Sequence, residues 1–445
     1  MTTKTQTQKI FNLSPPSLLA IGFLSFIVIG TLLLKLPISH TGQISWMDAI
    51  FTATSAVTIT GLSVVNIGES YTHFGQFIIL LMIQSGGLGF MIFAILAALS
   101  LSPKVGLKQQ MMAQESLGQT SLSKVTFIAK GVVAYTIFFE LIGAIILSTS
   151  FIPLYGIPKG LYYSIFYSIS AFNNAGFSLF DNGLSSFYGN YFICLTISLL
   201  YILGGIGFLV LMDIKQNKKW RKLSPNTKLV VSTIVIINIF AFIMIWLLES
   251  RNPMTLGSMS LGEQAVNSWF QATVPRSSGF NTIDTGSMNN STTLLTMLLM
   301  FIGGGSLSTA GGIKVGTFVI LVLCVVAFLR RNDEIRIFNH AISQETTYKA
   351  LAVAAITGML IFLGGFIILI LEPELDVLDL MFEVLSAACT VGLSRGATGE
   401  LHDGSLLVLC LLMFTGRLGP LTLAYLIATP KKSRLKHPTA NIQIG

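Results

Sequence analysis

Cys389-Thr390-Val391-Gly392-Leu393 organises the reading of this chain because it is the last of four related segments. The others are Thr58-Ile59-Thr60-Gly61-Leu62, Asn173-Asn174-Ala175-Gly176-Phe177 and Arg276-Ser277-Ser278-Gly279-Phe280. Each is a mostly polar run, then a glycine, then a large apolar residue, set between two hydrophobic stretches. The four glycines are 115, 103 and 113 residues apart. Four units of one kind are therefore expected, at residues 1–104, 105–219, 220–336 and 337–445. Four such loops are what a four-fold ion pathway needs.

Composition sets the solvent. Of 445 residues, 52% are hydrophobic and 10% charged, whereas a soluble domain carries about 25% charged residues. Apolar runs at residues 18–34, 77–99, 132–148, 193–212, 229–248, 351–371 and 406–427 are long enough, or nearly so, to cross a ~30 Å hydrocarbon core. A polytopic membrane protein follows. The first run ends at Lys35-Leu36-Pro37 without a small-x-small cleavage site, so it reads as a spanning helix and not as a removed leader. Cys194, Cys324, Cys389 and Cys410 sit singly in apolar surroundings, a pattern for neither a disulfide framework nor a metal site.

Twenty of the 27 lysines and arginines fall in five places: Lys4 and Lys9; Lys104, Lys108, Lys124 and Lys130; six between Lys215 and Lys228; Arg330, Arg331, Arg336 and Lys349; and Lys431, Lys432, Arg434 and Lys436. The positive-inside rule makes all five cytoplasmic, with both termini, and requires an even number of crossings between them. The net charge of +8 then reflects anchoring beside membrane lipid. Nucleic acid is not an expected partner, since aromatic and basic residues do not interleave. Most acids fall in the intervening outer loops, where they either concentrate cations or simply keep the loops solvated.

Within each excursion a mildly apolar stretch precedes the glycine loop, at residues 46–57, 161–172, 263–273 and 378–388. About eleven residues make a helix of ~16 Å, too short to span. Such a segment either lies on the interface or re-enters the membrane against protein or a water-filled cavity. Four copies at matching places favour re-entry. A second repeat follows each loop glycine by 25, 28, 24 and 24 residues: Gly86-Gly87-Leu88-Gly89, Gly204-Gly205-Ile206-Gly207, Gly303-Gly304-Gly305-Ser306 and Gly416-Arg417-Leu418-Gly419. Glycines there serve close helix packing or something more specific. The first two copies read as packing sites within a spanning helix. The third does not, because six of the fourteen residues from Gly303 to Gly316 are glycine, each costing about 1 kcal/mol relative to alanine in a helix. A helix interrupted inside the membrane is expected there. The fourth places Arg417 near mid-membrane, where a charge marks a functional candidate. Glu140, inside an apolar run, touches an ion path or merely pairs with a polar neighbour.

These features together resemble the Trk/Ktr/HKT superfamily of cation transporters: four glycine loops between helix pairs, Thr390-Val391-Gly392 in the fourth, a glycine-rich break in the third unit and an arginine in the last helix. The resemblance covers residues 17 to 428, and the compact length is most similar to the membrane subunits of bacterial Ktr-type uptake systems. It implies an all-α polytopic membrane protein with four pseudo-repeated helix–pore-helix–helix units around one central pore. It also implies a homodimer on a cytosolic nucleotide-binding ring of KtrA-type subunits and potassium uptake across the plasma membrane, with no covalently bound cofactor. Whether sodium is coupled stays open.

In that reading, potassium is held by backbone carbonyls of Ile59, Thr60 and Gly61; Asn174, Ala175 and Gly176; Ser277, Ser278 and Gly279; and Thr390, Val391 and Gly392. Glycine at Gly61, Gly176, Gly279 and Gly392 points to potassium, since family members with serine in the first loop lean toward sodium. The fourth loop keeps the Thr-Val-Gly of potassium channels and none has the following Tyr-Gly, so a shorter filter is expected. The gate is the loop of Gly303, Gly304, Gly305, Ser306, Ser308, Thr309, Gly311, Gly312, Lys314 and Gly316, held by Arg417. Two rival classes are a transporter of another solute with a midplane broken-helix site, which would show inverted or two-fold repeats, and an intramembrane enzyme, for which the dispersed histidines and the lack of a catalytic motif give no support.

Overall fold

The computed structural model describes residues 15–89, 122–332, 334–420 and 422. Both termini, the basic anchors Lys4, Lys9, Lys104 and Lys108, and the tail with Lys431, Lys432, Arg434 and Lys436 lie outside the described residues.

Helices α1 (Pro15–Leu34), α2 (Trp46–Val57), α3 (Ile67–Ser70) and α4 (His73–Leu88) flank the first glycine loop. Around the second are α5 (Leu122–Tyr155), α6 (Ile157–Phe172), α7 (Tyr191–Ile206) and α8 (Phe208–Gln216). Around the third are α9 (Pro225–Glu249), α10 (Leu261–Thr273), α11 (Asn290–Phe301) and α12 (Val315–Leu329). A small antiparallel hairpin, β1 (Arg336–Ile337) with β2 (His340–Ala341), leads to α13 (Gln344–Leu371), α14 (Val377–Ala388) and α15 (Asp403–Leu418) around the fourth.

Among the described residues, three helices are long and apolar enough to cross a membrane: α9, α13 and the part of α5 from Ala129. Helices α7 and α8 would make a fourth span together but are bent by 92°. Large apolar side chains such as Phe192, Leu247, Phe328 and Phe362 face outward, as they would toward acyl chains.

The four short helices α2, α6, α10 and α14 are made by their sequences at both ends. Ser45 with Asp48, and Ser260 with Glu263, form reciprocal capping boxes, while Asp376 accepts from the N–H groups of Leu378 and Asp379. Those acids also complement the positive end of each helix dipole. Helix α6 instead begins at Gly156 with Pro158 in its first turn, where the missing N–H costs nothing. Two buried polar side chains of α10 find partners on neighbouring elements: Asn267 Nδ2 donates to the Tyr188 carbonyl (3.0 Å) and Thr273 Oγ1 lies 2.6 Å from the Tyr201 hydroxyl.

The helices pack in a closed cycle. Helix α4 lies on α6, α7 on α10, α11 on α14, and α15 returns to α2. Each glycine loop is thereby delivered to one common centre.

At the companion glycines the structure departs from the expected continuous helices. Helix α4 stops at Leu88, α7 at Ile206 and α15 at Leu418, with Gly89 (φ +76°), Gly207 (φ +106°) and Gly419 (φ +83°) in the left-handed region. A left-handed residue ends a right-handed helix, and glycine takes that conformation without a Cβ penalty. Packing explains the leading glycine of each motif. A β-carbon on Gly86 would fall 2.1 Å from the Val57 carbonyl oxygen, one on Gly204 1.9 Å from that of Phe172, and one on Gly416 2.2 Å from that of Ala388. These are the last residues of α2, α6 and α14. The third copy is different: Gly303 faces the Gly311 carbonyl of its own loop.

Gly204→Ala is therefore expected to destabilise the fold by about 1–3 kcal/mol, the scale of overpacking. Gly205→Ala, whose β-carbon would meet nothing closer than 3.4 Å, is expected to be neutral. Thermal unfolding of the two variants in detergent checks this; equal midpoints would refute it.

Candidate functional site: a ring of glycine loops above an interrupted helix

The four loops share one backbone. Two residues before each glycine stands a non-glycine residue with positive φ: Ile59 (+51°), Asn174 (+57°), Ser277 (+71°) and Thr390 (+48°). The glycines follow at +95° (Gly61), +69° (Gly176), +69° (Gly279) and +89° (Gly392). Positive φ is a true outlier for β-branched Ile59 and Thr390, costing on the order of 1–3 kcal/mol each, and persists only where the surroundings impose it.

The short helices impose it. The N–H of Thr60 donates to the Ser55 carbonyl, that of Ala175 to Ser170, and that of Val391 to Ser386, each at 2.8 Å. The Gly61 and Gly392 N–H groups donate to the hydroxyls of Ser55 (3.0 Å) and Ser386 (3.1 Å), and Ser170 Oγ donates to the Phe177 carbonyl. The third loop departs: Ser278 N–H donates to the Val274 carbonyl at 3.2 Å. Its own tie is Ser277 Oγ, which donates to the Thr390 carbonyl (2.5 Å) and accepts from Gly311 N–H (2.9 Å).

Backbone meets backbone around the ring. A β-carbon on Gly61 would lie 2.4 Å from the Ala175 carbonyl oxygen, on Gly176 2.6 Å from Gly279 Cα, on Gly279 3.2 Å from Gly392 Cα, and on Gly392 2.0 Å from the Thr60 carbonyl oxygen. All four glycines line one cavity of about 700 Å³, walled also by Ser63, Asn66, Asp181, Asp284 and Arg395. Of the many outer-loop acids, Asp181 and Asp284 reach this mouth among the described residues. Arg395 is bound to Asp379 at 2.5 Å. Four short helices end at the ring, so the partially negative C-terminal ends of four helix dipoles meet there.

Beneath the ring lies the interrupted helix. Helix α11 ends at Phe301 and α12 begins at Val315; Lys314 is its N-cap. Backbone bonds close the segment between on itself, Gly303 N–H to Ile313, and tie it to its neighbours: Gly305 N–H to Gly205, Thr309 N–H to Gly204 and Val315 N–H to Gly304. It presses on the ring from below. Thr309 Oγ1 donates to Asn174 Oδ1 (3.0 Å), and a β-carbon on Gly311 would lie 1.9 Å from Thr390 Oγ1. Arg417 spans from this segment to α4, donating to the carbonyls of Thr309 (2.8 Å) and Gly86 (2.5 Å). Lys314 Nζ donates to the Ala310 carbonyl (2.5 Å). Neither cation has a carboxylate partner among the described residues. Of the residues expected in this loop, Ser306 is exposed at its outer turn and Gly316 lies in α12, facing open space. Gly303, Gly304, Gly305, Ser308, Thr309, Gly311 and Gly312 lie in the segment itself.

A family model described as TrkH, cation transport protein, matches residues 17–436. This chain belongs to that family. Among curated relatives, it is 44% identical over 442 residues, 99% of both chains, to "Ktr system potassium uptake protein B" of Bacillus subtilis. It is 35% identical to the protein of that name from Vibrio alginolyticus, covering 97% of this chain and 95% of the relative. It is also 35% identical to "Potassium/sodium uptake protein NtpJ" of Enterococcus hirae, covering 97% and 98%. The crystal structure of the potassium transporter TrkH from Vibrio parahaemolyticus superposes with a TM-score of 0.76 at 20% identity, covering 94% of this chain and 86% of that one, which shows a shared fold. The fold is a mostly helical TrkH-type membrane fold, and membership of a transport family sets aside the intramembrane-enzyme alternative.

Three groups of residues escaped the sequence reading. Ser55, Ser170 and Ser386 stand six places before their glycines, with Thr273 at the equivalent third position; that periodic hydroxyl is a signal the sequence did contain. Arg276 is buried behind the third loop, donating to Asn238 Oδ1 while its Nη1 finds no partner among the described residues. Its partner is 38 residues away, with no local signature. The third group surrounds Glu140 and joins two of the loop-bearing segments.

Ser386→Ala would leave the buried Gly392 N–H without its side-chain acceptor. The expected cost is about 1–3 kcal/mol in stability, read as a lowered unfolding midpoint in detergent. An unchanged midpoint would show that the hydroxyl does not brace the loop.

Proposed function

We propose that this chain is the ion-translocating subunit of a bacterial Ktr-type potassium-uptake system, embedded in the plasma membrane with four helix–pore-helix–helix units around a single pore. The observation that carries the reading is the four-fold recurrence of one strained backbone around a common cavity floor. Alternation between left-handed and ordinary residues turns successive carbonyls to the same side, the arrangement that replaces the hydration shell of a monovalent cation. Carbonyls of Ile59, Thr60, Asn174, Ala175, Ser277, Ser278, Thr390 and Val391, with their glycines, form the filter. The helix C-termini add a field that favours a cation at its centre. Relatives named for potassium uptake, and one named for potassium and sodium, support these ions as cargo.

The segment from Gly303 to Lys314 is the gate. It lies under the filter, pinned at neighbouring carbonyls by Arg417 and Lys314, and the two cations oppose passage electrostatically while they stay there. Glycines let it leave: a segment rich in glycine has many conformations once its hydrogen bonds break. Regulation arrives from a cytosolic nucleotide-binding ring of KtrA-type subunits acting on a homodimer through the cytoplasmic basic segments, which also meet anionic lipid. Arg417 is then a latch whose removal lowers the free energy of opening.

Arg417→Ala is expected to raise rubidium or potassium flux into proteoliposomes about tenfold in the absence of any cytosolic partner, the scale of a typical allosteric coupling. Gly392→Ser, which drives a side chain into the Thr60 carbonyl, is expected to abolish discrimination against sodium. Flux that stays wholly partner-dependent in the first variant, with selectivity intact in the second, would sink both gate and filter.

A further inference from the structure

Glu140 sits in α5 at the seam between the first and second loop-bearing segments, among side chains that are amides and not cations. Its Oε1 accepts from Asn173 Nδ2 at 2.8 Å and its Oε2 from Gln84 Nε2 at 3.3 Å. Asn173 Nδ2 also donates to Gln84 Oε1 (3.0 Å) and to the Ile169 carbonyl (2.9 Å), closing a triad. Ser168 Oγ of α6 donates to the Glu140 backbone carbonyl (2.6 Å), holding α5 at this height. No lysine, arginine or histidine pairs with Glu140 among the described residues. Asn173 is fully buried, and its Oδ1 has no hydrogen-bond partner. That oxygen is aimed at Gly87 of α4, where a β-carbon would come within 1.9 Å of it.

A carboxylate held in a membrane interior without a cation is expensive, so its geometry is tightly tied to whatever donors it has. Here the donors are Gln84 and Asn173, and Asn173 stands next to left-handed Asn174 and two before Ala175. Asn174 in turn accepts from Thr309 of the interrupted helix. The triad therefore fixes the start of the second loop from behind, at the position that Thr58 holds in the first loop and Cys389 in the fourth. Packing alone does not call for an acid there: Ala171, Phe172 and Phe139 already fill the apolar side.

We propose that Glu140 is a positioning residue that sets cation discrimination through Asn173, by fixing the carbonyls of Asn174 and Ala175 in the ring. The proposal deepens the pore reading and rests on it. Neutralising the acid frees the Asn173 amide to rotate, because its unpartnered Oδ1 gains a donor in the new amide; the second loop then loses register with the other three. Moving the acid to position 84 restores one carboxylate and one amide around Asn173, so that the Asn173 amide again donates to both neighbours.

The test is potassium and rubidium uptake, with sodium competition, by the full-length protein in proteoliposomes, for wild type, E140Q and the double variant E140Q/Q84E. Wild type is expected to carry potassium. E140Q is expected to raise the potassium KM about tenfold, the effect of losing a charge-assisted hydrogen bond, and to lower potassium preference over sodium by a similar factor. The exchange is expected to recover both to within about threefold. A KM and preference unchanged in E140Q, with flux falling only in proportion to folded protein, would assign a merely structural role and overturn the inference; so would an exchange no better than E140Q. Should E140Q not be recovered folded, the exchange decides alone: a KM near wild type supports the triad, a raised KM overturns it. Absence of potassium flux in wild type would instead remove the pore reading, and this inference with it.

Discussion

The structure depends on four places where backbone touches backbone with no room for a β-carbon. Gly392 against the Thr60 carbonyl, Gly61 against Ala175, and Gly176 against Gly279 are contacts between different parts of the chain, more than 100 residues apart in sequence. They require the short helices to end at one level, which fixes where each helix begins, how it is capped and which partner it packs against. The strain of Ile59, Asn174, Ser277 and Thr390 is concentrated at the same level. Strain of this kind survives because the serine hydroxyls and carbonyls of α2, α6 and α14 over-determine the loops, and because the cycle of helices leaves them nowhere to relax.

The ring is not symmetric, and its asymmetry has a chemical pattern. The first and fourth loops are braced by hydroxyls of Ser55 and Ser386 within their own segments. The third leans on its neighbours, with Ser277 bridging the Thr390 carbonyl and Gly311 N–H. The second is tied to Gln84 and Glu140 behind it and to Thr309 below it. Loops two and three are thus the ones hydrogen-bonded to the interrupted helix, and they carry the least channel-like sequences. A proposed gate that contacts the proposed filter through these two loops would alter both at once.

Much of this was legible in the sequence. The loop glycines, the short helices and the break after Gly303 follow from spacing, length and the cost of glycine in helices. The span of α2, residues 46–57, agrees with the mildly apolar stretch read before the glycine loop; its Ser45–Asp48 capping box emerges only in the structure. What sequence could not give was distance. Gly86, Gly204 and Gly416 look alike whether they permit packing or end a helix, and the structure shows that the leading glycine does one while the last glycine of each set does the other. Arg417 was recognisable as costly, but its two carbonyl acceptors, on Thr309 and Gly86, carry no side-chain signature. Glu140 was conspicuous and uninterpretable until Gln84 and Asn173 were seen beside it.

The central claim is that cations bind where the four loops meet. The most direct measurement is anomalous scattering or heavy-cation density from the protein in thallium or rubidium. The account predicts density on the axis among the carbonyls of residues 59–61, 174–176, 277–279 and 390–392, above the Gly303–Lys314 segment, and its displacement by potassium. Cation density confined to other cavities, in a preparation that still transports rubidium, would contradict it.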